Sequence, residues 1–227
     1  GTMSTQGKIT GVKITGLATA VPDNLVRNSD YFDKWGKEYV QKVIDVTGIE
    51  ERYAALPNQT ASDFAFEALN LLRERGRWTN NSVDALIFLT QSPDYPSPAS
   101  SFILHHRLGI HKECMTFDVT AGCPGFVYGV FLASTFLQMP DMNRILICGG
   151  DCSTLHGNPE DNTTALLFGD GCFAAVLEKN PGGPDLHYHL QTFTDSFKAI
   201  MTPVYLPFGR NRSKWTKNMD FFVGRLR

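Results

Sequence analysis

The stretch Asp118-Val-Thr-Ala-Gly-Cys-Pro-Gly-Phe126 joins a short apolar run to a longer, more apolar one. Met115 to Val119 reads as a buried strand, and Pro124 to Met139 as a helix with almost no polar face. Proline is favoured at the first helical position, so Pro124 puts Cys123 at or beside the N-cap. The unpaired amides and dipole of a helix N-terminus stabilise an anion and favour a thiolate there. A cysteine on a tight strand-to-helix turn is how a fold presents a nucleophile to a substrate. The same residue also has a simpler reading, that of a buried and inert thiol.

Outward from this turn, apolar strands alternate with helices. Upstream, Ile9 to Ala20 reads as a first strand closed by Val21-Pro22-Asp23, and Asn28 to Val46 as a helical stretch of mixed polarity. Thr60 to Gly76 is a punctuated helix: Thr60 caps it, Asp63 lies in its first turn and Gly76 follows Arg73, Glu74 and Arg75. Phe64, Ala65, Ala68, Leu69 and Leu72 form one apolar stripe along it. Ala85 to Thr90 is a short, continuous apolar strand, and Ser97-Pro98 opens a helix ending at Leu108-Gly109. Downstream, Arg144 to Gly149 is the next buried strand. Ala165 to Leu177 reads as two strand segments around a hairpin-type turn at Gly169-Asp170-Gly171. Continuous rather than alternating hydrophobicity in the strands predicts an α/β fold with a parallel or mixed sheet covered on both faces. Asn180-Pro-Gly-Gly-Pro184 is the best linker; Leu186 to Phe193 reads as one more strand, and Met201 to Arg227 shows no clear pattern.

Composition narrows the function classes. Lys and Arg number 21 against 23 Asp and Glu, a net charge of −2 with no long basic run, which argues against a nucleic-acid footprint or an anionic-membrane anchor. No apolar run reaches membrane-spanning length and no signal-peptide pattern opens the chain, so a cytoplasmic protein is expected. The five cysteines (114, 123, 148, 152 and 172) are odd in number and scattered, which fits reduced thiols in that compartment.

Competing motifs carry less. Gly169-Asp-Gly-Cys-Phe-Ala174 has the letters of a dinucleotide-binding loop, but that motif must open a helix and Ala174 to Glu178 continues as strand. Cys148 with Cys152, or His187 with His189, lack a second pair at zinc-site spacing, so no metal is expected. His156-Gly157-Asn158 reads as a turn.

Several segments occur in one order that resembles a known family. These are Thr47-Gly48-Ile49 with Glu51-Arg52, Tyr95-Pro96-Ser97 before a helix, Leu108-Gly109, Asp118 to Phe126, Gly149-Gly150-Asp151 and Phe168-Gly169-Asp170-Gly171. From about Lys8 to Lys179 the chain resembles the N-terminal half of a β-ketoacyl-[acyl carrier protein] synthase III, one of the thiolase-like condensing enzymes. The resemblance implies a thiolase-like layered α/β fold, a mixed sheet covered by helices around a buried nucleophile helix. Residues 8–179 would form the first half-unit, and 180–227 a linker and the opening of an incomplete second one.

It also implies an activity. Cys123 would take an acyl group from an acyl-coenzyme A or acyl-carrier-protein thioester. The acyl-enzyme would then condense with decarboxylating malonyl-carrier protein, as in fatty acid, lipid or polyketide-type biosynthesis, with no permanently bound cofactor. Tyr95, reaching across a homodimer interface, and Phe168 and Gly169 would contact the substrate. The family's catalytic histidine and asparagine lie in Pro-His-Gln-Ala-Asn and Asn-x-Gly-Asn segments, which this sequence does not contain. The positions that clamp the coenzyme A adenine correspond to about Lys42 and Asn162, and the arginine before Thr-Gly-Ile is Val46. A truncated condensing enzyme is the expectation; the alternative is a half-length, non-condensing acyl-binding or interaction subunit.

Overall fold

The computed structural model describes residues 5–196, so Met201 to Arg227 and most of the 180–227 segment lie outside the described residues. Strands β1 (Gln6–Ile9) and β2 (Val12–Ala20) replace the single expected first strand. They part at Gly11, whose φ of +70° a side chain would strain. β3 (Leu25–Arg27) and β4 (Glu51–Tyr53) form a small antiparallel pair around the helices α1 (Phe32–Trp35) and α2 (Lys37–Thr47). These two helices are one expected stretch broken at Gly36, φ +86°. Next come α3 (Ala61–Glu74), β5 (Ala85–Leu89), α4 (Ser100–Leu108), β6 (Met115–Val119), α5 (Gly125–Phe136), β7 (Arg144–Asp151), β8 (Gly171–Lys179) and β9 (Leu186–His189).

The central sheet has the order β2-β8-β7-β5-β6. β5 runs parallel to both β6 and β7, while β8 is antiparallel to β7 and β2, so the sheet is mixed as the strand patterns require. Every residue of β5 is buried. Leu86 and Phe88 enter a core with Leu69, Leu72, Leu104 and Leu108 of α3 and α4; Ile87 and Leu89 enter the opposite one with Ala133 and Leu137 near α5. Burial of each such side chain is worth about 1.5–3 kcal/mol, so β5 anchors both layers at once. The apolar stripe of α3 is buried as its spacing predicts, and Thr60 N donates to Asp63 Oδ2 at 2.9 Å to start the helix.

Four expectations are corrected. β6 is the edge of the sheet and only partly buried, because nothing pairs beyond it among the described residues. The helix after Cys123 spans Gly125–Phe136 with Pro124 at its N-cap rather than its first turn, and Leu137 to Met139 leave it in tighter turns. Residues 165–168, expected as a strand segment, are turn and loop: β8 begins only at Gly171, and the Leu166 and Phe168 carbonyls are taken by the Asn28 and Arg52 side chains instead of a neighbouring strand. The last strand is short, ending at His189. It pairs antiparallel with β1, and Tyr188 packs its ring against Phe131 at 4.9 Å, so residues 186–189 fold against the first unit.

α5 lies so close to the sheet that a Cβ at Gly129 would stand 2.6 Å from Leu89 Cδ1. Even so, Phe126 on the helix's flank and Val127 on its outer side are 42% and 53% exposed, and β2 likewise presents Ile14 and Leu17. One face of the sheet is thus covered by α3 and α4, and the other only in part by α5, among the described residues.

Asp118, near the end of β6, fastens α4 to this sheet: its two carboxylate oxygens accept the Ser100 and Ser101 amides, each at 2.9 Å. These are donors at the start of a helix that no side chain of the helix itself satisfies. Asp118→Ala is expected to destabilise the protein by about 1–3 kcal/mol, the cost of orphaning helix-end donors that held a charged acceptor, checked by denaturant unfolding.

Candidate active site

The parallel strands β5, β6 and β7 end on one edge of the sheet, and β8 starts there, since Gly171 pairs with Asp151. The loops leaving these strand ends form the site. After β6 the chain turns sharply at Gly122, φ +67°, where a Cβ would also meet Gln91 Nε2 at 3.1 Å. Gly125 N donates to Gly122 O at 2.9 Å, and Tyr128 N reaches Pro124 O at 3.0 Å. Cys123 sits on the crest of this turn, one residue before the N-cap, and is exposed. Pro124 has no N–H, so Phe126 and Val127 bring the next free amides of the helix to that end, where the dipole favours an oxyanion. The apolar ring of Phe126 packs edge-on against Phe173, at 5.2 Å.

A carboxylate braces the neighbouring loop. Asp151 Oδ1, at the end of β7, accepts Thr90 Oγ1 (2.9 Å), Gln91 N (2.7 Å), Ser92 N (2.9 Å) and Ser92 Oγ (3.0 Å). Ser92 Oγ in turn accepts Cys152 N at 3.0 Å, and Thr120 Oγ1 donates to Thr90 O at 3.4 Å. The loops after β5, β6 and β7 are therefore held to one another by hydrogen bonds rather than by packing alone.

The other flank is the Phe168-Gly169-Asp170-Gly171 turn. Asp170 is buried; its carboxylate accepts Ala55 N at 2.7 Å and Thr154 N at 3.0 Å, and also bonds Thr154 Oγ1. Phe168 is half-exposed at the same sheet end as Cys123, with Gly169 beside it. Tyr95, 58% exposed, stands in the loop between β5 and α4, which leaves this end as well. The sequence reading named Cys123, Tyr95, Phe168 and Gly169 but gave no role to Asp118, Asp151, Asp170, Asn28 or Arg52. Their only trace is that four of the five lie within or beside the family segments quoted above; Asn28 leaves no signal at all.

Lys42 is exposed on α2, and Asn162 lies in the loop before β8 that touches the α1–α2 region. There Tyr39 Oη donates to Asn162 O at 3.2 Å and Lys34 pairs with Glu160 at 2.9 Å. The other thiols are unlike Cys123. Cys114, Cys148, Cys152 and Cys172 are buried. Burial pushes Cys114 up to about 11, opposed by a hydrogen bond from Thr116. Burial, reinforced by Asp170 and Asp151, pushes Cys152 up to about 12.

An exposed cysteine on a tight turn after a parallel strand, a helix beginning under it and a mixed five-stranded sheet layered between helices define a thiolase-like condensing-enzyme fold. The family model for 3-oxoacyl-[acyl-carrier-protein (ACP)] synthase III matches residues 117–194, from β6 through Cys123 to β9. The β-ketoacyl-[acyl-carrier-protein] synthase III of Alkalilimnicola ehrlichii is 34% identical over 185 residues, 78% of this chain and 55% of the relative. That of Syntrophomonas wolfei is 32% identical over 198 residues, covering 87% and 58%. The crystal structure of a 3-oxoacyl-(acyl-carrier protein) synthase from Burkholderia xenovorans LB400 superposes with a TM-score of 0.85 at 28% identity, over 88% of this chain and 57% of that one. The chain is a β-ketoacyl-[acyl carrier protein] synthase III-like member of the thiolase-like condensing enzymes, and it spans somewhat over half the length of the curated relatives it matches.

Two outcomes follow from the thiols. A water-soluble disulfide reagent should titrate a single thiol, Cys123, in the native protein and all five only after denaturation, read by absorbance; Cys123→Ala should abolish the native signal. Stability should fall as pH rises above 9.0. Between that ordinary value and about 12 the unfolded chain loses thiol protons that the native state keeps at Cys152, so fewer protons are bound on unfolding. Cys152→Ala should flatten the alkaline limb of denaturant midpoint against pH.

Proposed function

We propose that this chain carries the nucleophile of an acyltransferase of the 3-oxoacyl-[acyl carrier protein] synthase III type. The observation that carries the reading is Cys123: the exposed cysteine of the chain, on a glycine-dependent turn one residue before the N-cap of α5. Its sulfur attacks the carbonyl of an acyl thioester. The carbonyl oxygen becomes an oxyanion for which backbone amides at the start of α5 are the nearest fixed donors. Collapse expels the donor's thiol, which takes a proton, and leaves an acyl-Cys123 thioester. Condensation with malonyl-carrier protein then needs groups to stabilise the enolate formed on loss of carbon dioxide. In the reading from resemblance these are a histidine and an asparagine of a second thiolase-like half, beyond residues 8–179.

The partly covered face of the sheet supports such a second half. Phe126, Val127, Ile14 and Leu17 make an apolar surface that a layered partner would take out of water. Tyr95, Phe168 and Gly169 are assigned to the acyl substrate, and acyl carrier protein is the macromolecular partner. A homodimer is assigned through the open edge of β6, whose outer backbone groups have no strand to pair with among the described residues. No permanently bound cofactor is assigned. No helix of the described residues is long and apolar enough to cross a membrane, and five free cysteines favour the reducing cytoplasm. The pathway assigned is fatty acid or related lipid biosynthesis. Either coenzyme A or a carrier protein serves as donor; Lys42 and Asn162 in place of an adenine clamp favour the carrier protein.

Intact-protein mass spectrometry with acyl-coenzyme A and acyl-carrier-protein donors tests this directly. A single acyl adduct that disappears in Cys123→Ala is the expected result. Absence of an adduct from every donor would overturn it in favour of a non-condensing interaction subunit.

A further inference from the structure

Arg52, on β4, is 7% exposed, yet no carboxylate pairs with it among the described residues. Its Nε donates to Asn28 Oδ1 at 2.9 Å and its Nη1 to Phe168 O at 2.8 Å, while its buried Nη2 has no partner among the described residues. The guanidinium carbon lies 6.0 Å from the centre of the Tyr31 ring. A buried cation held by neutral acceptors contributes little to stability, and an apolar side chain of similar volume serves a core at least as well. What this arrangement does supply is geometry.

Asn28 is fully buried and passes the hold onward, donating through Nδ2 to Leu166 O at 2.9 Å and to Ile49 O at 2.8 Å. Two carbonyls of the 166–168 segment are therefore captured by one Arg–Asn unit. Two residues on, Asp170 N donates to Tyr53 O at 2.8 Å and its carboxylate takes Ala55 N. A Cβ on Gly169 would stand 3.3 Å from Tyr53 O and 3.5 Å from Arg52 Cβ, so the turn lies tightly on the β4 strand. The backbone from 166 to 170 is stitched down, but the Leu167 and Phe168 side chains remain 37% and 48% exposed. A loop built this way fixes where a ring stands without burying it.

We propose that Arg52 is a positioning residue: through the Phe168 carbonyl it sets the Phe168 ring as an apolar wall at the rim of the Cys123 site, and so tunes which chain length reaches the sulfur. The assignment rests on the reading of Cys123 as the acylated residue and Phe168 as a substrate contact. A tethered rim costs no ordering when an apolar chain arrives, whereas a free one must be ordered by the chain itself.

The test uses the full chain and alkylating probes that need no acyl-transfer activity. Rates of Cys123 modification by N-ethylmaleimide and N-octylmaleimide are followed by intact mass. Arg52→Met is expected to lower the octyl-to-ethyl rate ratio by about fourfold, the equivalent of one methylene withdrawn from contact. Phe168→Ala should lower it similarly, and the double variant no further, because Arg52 acts only through that ring. Gly169→Ala, which leaves the buried charge in place and presses the turn a few tenths of an ångström away from β4, should lower the ratio in the wild-type background and not in Phe168→Ala. It carries the test alone should Arg52→Met fail to fold. Equal slowing of both probes, an unchanged ratio, or effects that add to Phe168→Ala would overturn the proposal. Expected maleimide ratios with no thioester adduct would instead sink the acyltransferase reading and leave only the placement of the Phe168 ring by Arg52 standing.

Discussion

Two-sided burial of β5 is the constraint on which the rest depends. Ala85 to Leu89 have no exposed face, so the strand offers only its backbone to neighbours and only apolar side chains to the layers above and below. Backbone groups there must be paired, and parallel β6 and β7 on either side complete the pairing. Because parallel strands share a direction, β5, β6 and β7 release their chains at one edge of the sheet. Polar chemistry has no place along the strands and collects at that edge.

Charge then does at the edge what apolar packing does in the middle. Asp118, Asp151 and Asp170 each accept backbone amides from a different segment: the start of α4, the loop after β5, and the residues following β4 together with Thr154. A carboxylate accepting amide donors is a strong, directional tie, suited to loops that carry too little apolar surface to anchor themselves. Cys123 lies among these ties but is exposed, while the other four cysteines are enclosed by core. One chain thus contains inert thiols and an accessible one, separated by burial alone. The Arg52–Asn28 pair extends the same device to the Phe168 turn with neutral acceptors in place of a carboxylate.

The elements that were legible in advance are those whose pattern reports burial. α3 shows its stripe and its capping residues; β5 and β7 are short apolar runs; the glycine, cysteine and proline at 122–124 announce a strand passing into a helix. The misread elements fail for a common reason. Residues 165–168 look like strand because they are apolar, yet the Leu166 and Phe168 carbonyls are claimed by Asn28 and Arg52. β6 looks buried because Met115, Phe117 and Val119 are apolar, but its outer edge is open in the described sheet. β9 lies past a linker and still pairs with the first strand, since hydrogen-bond partners are chosen in space and not along the chain.

Local chemistry was therefore decided by the sequence itself. The φ of +67° at Gly122, the missing amide of Pro124 and the apolar run of α5 depend on neighbours in the chain, and they put a cysteine before a helix. Tertiary structure alone decided what surrounds that cysteine. Asp151 is 28 residues from Cys123 in the chain and Arg52 is 116 from Phe168. Their positions follow from strand order, from the direction of each strand and from which carbonyls remain unpaired at the sheet's edge. No local pattern encodes these, because each is a property of segments meeting only once the core has closed.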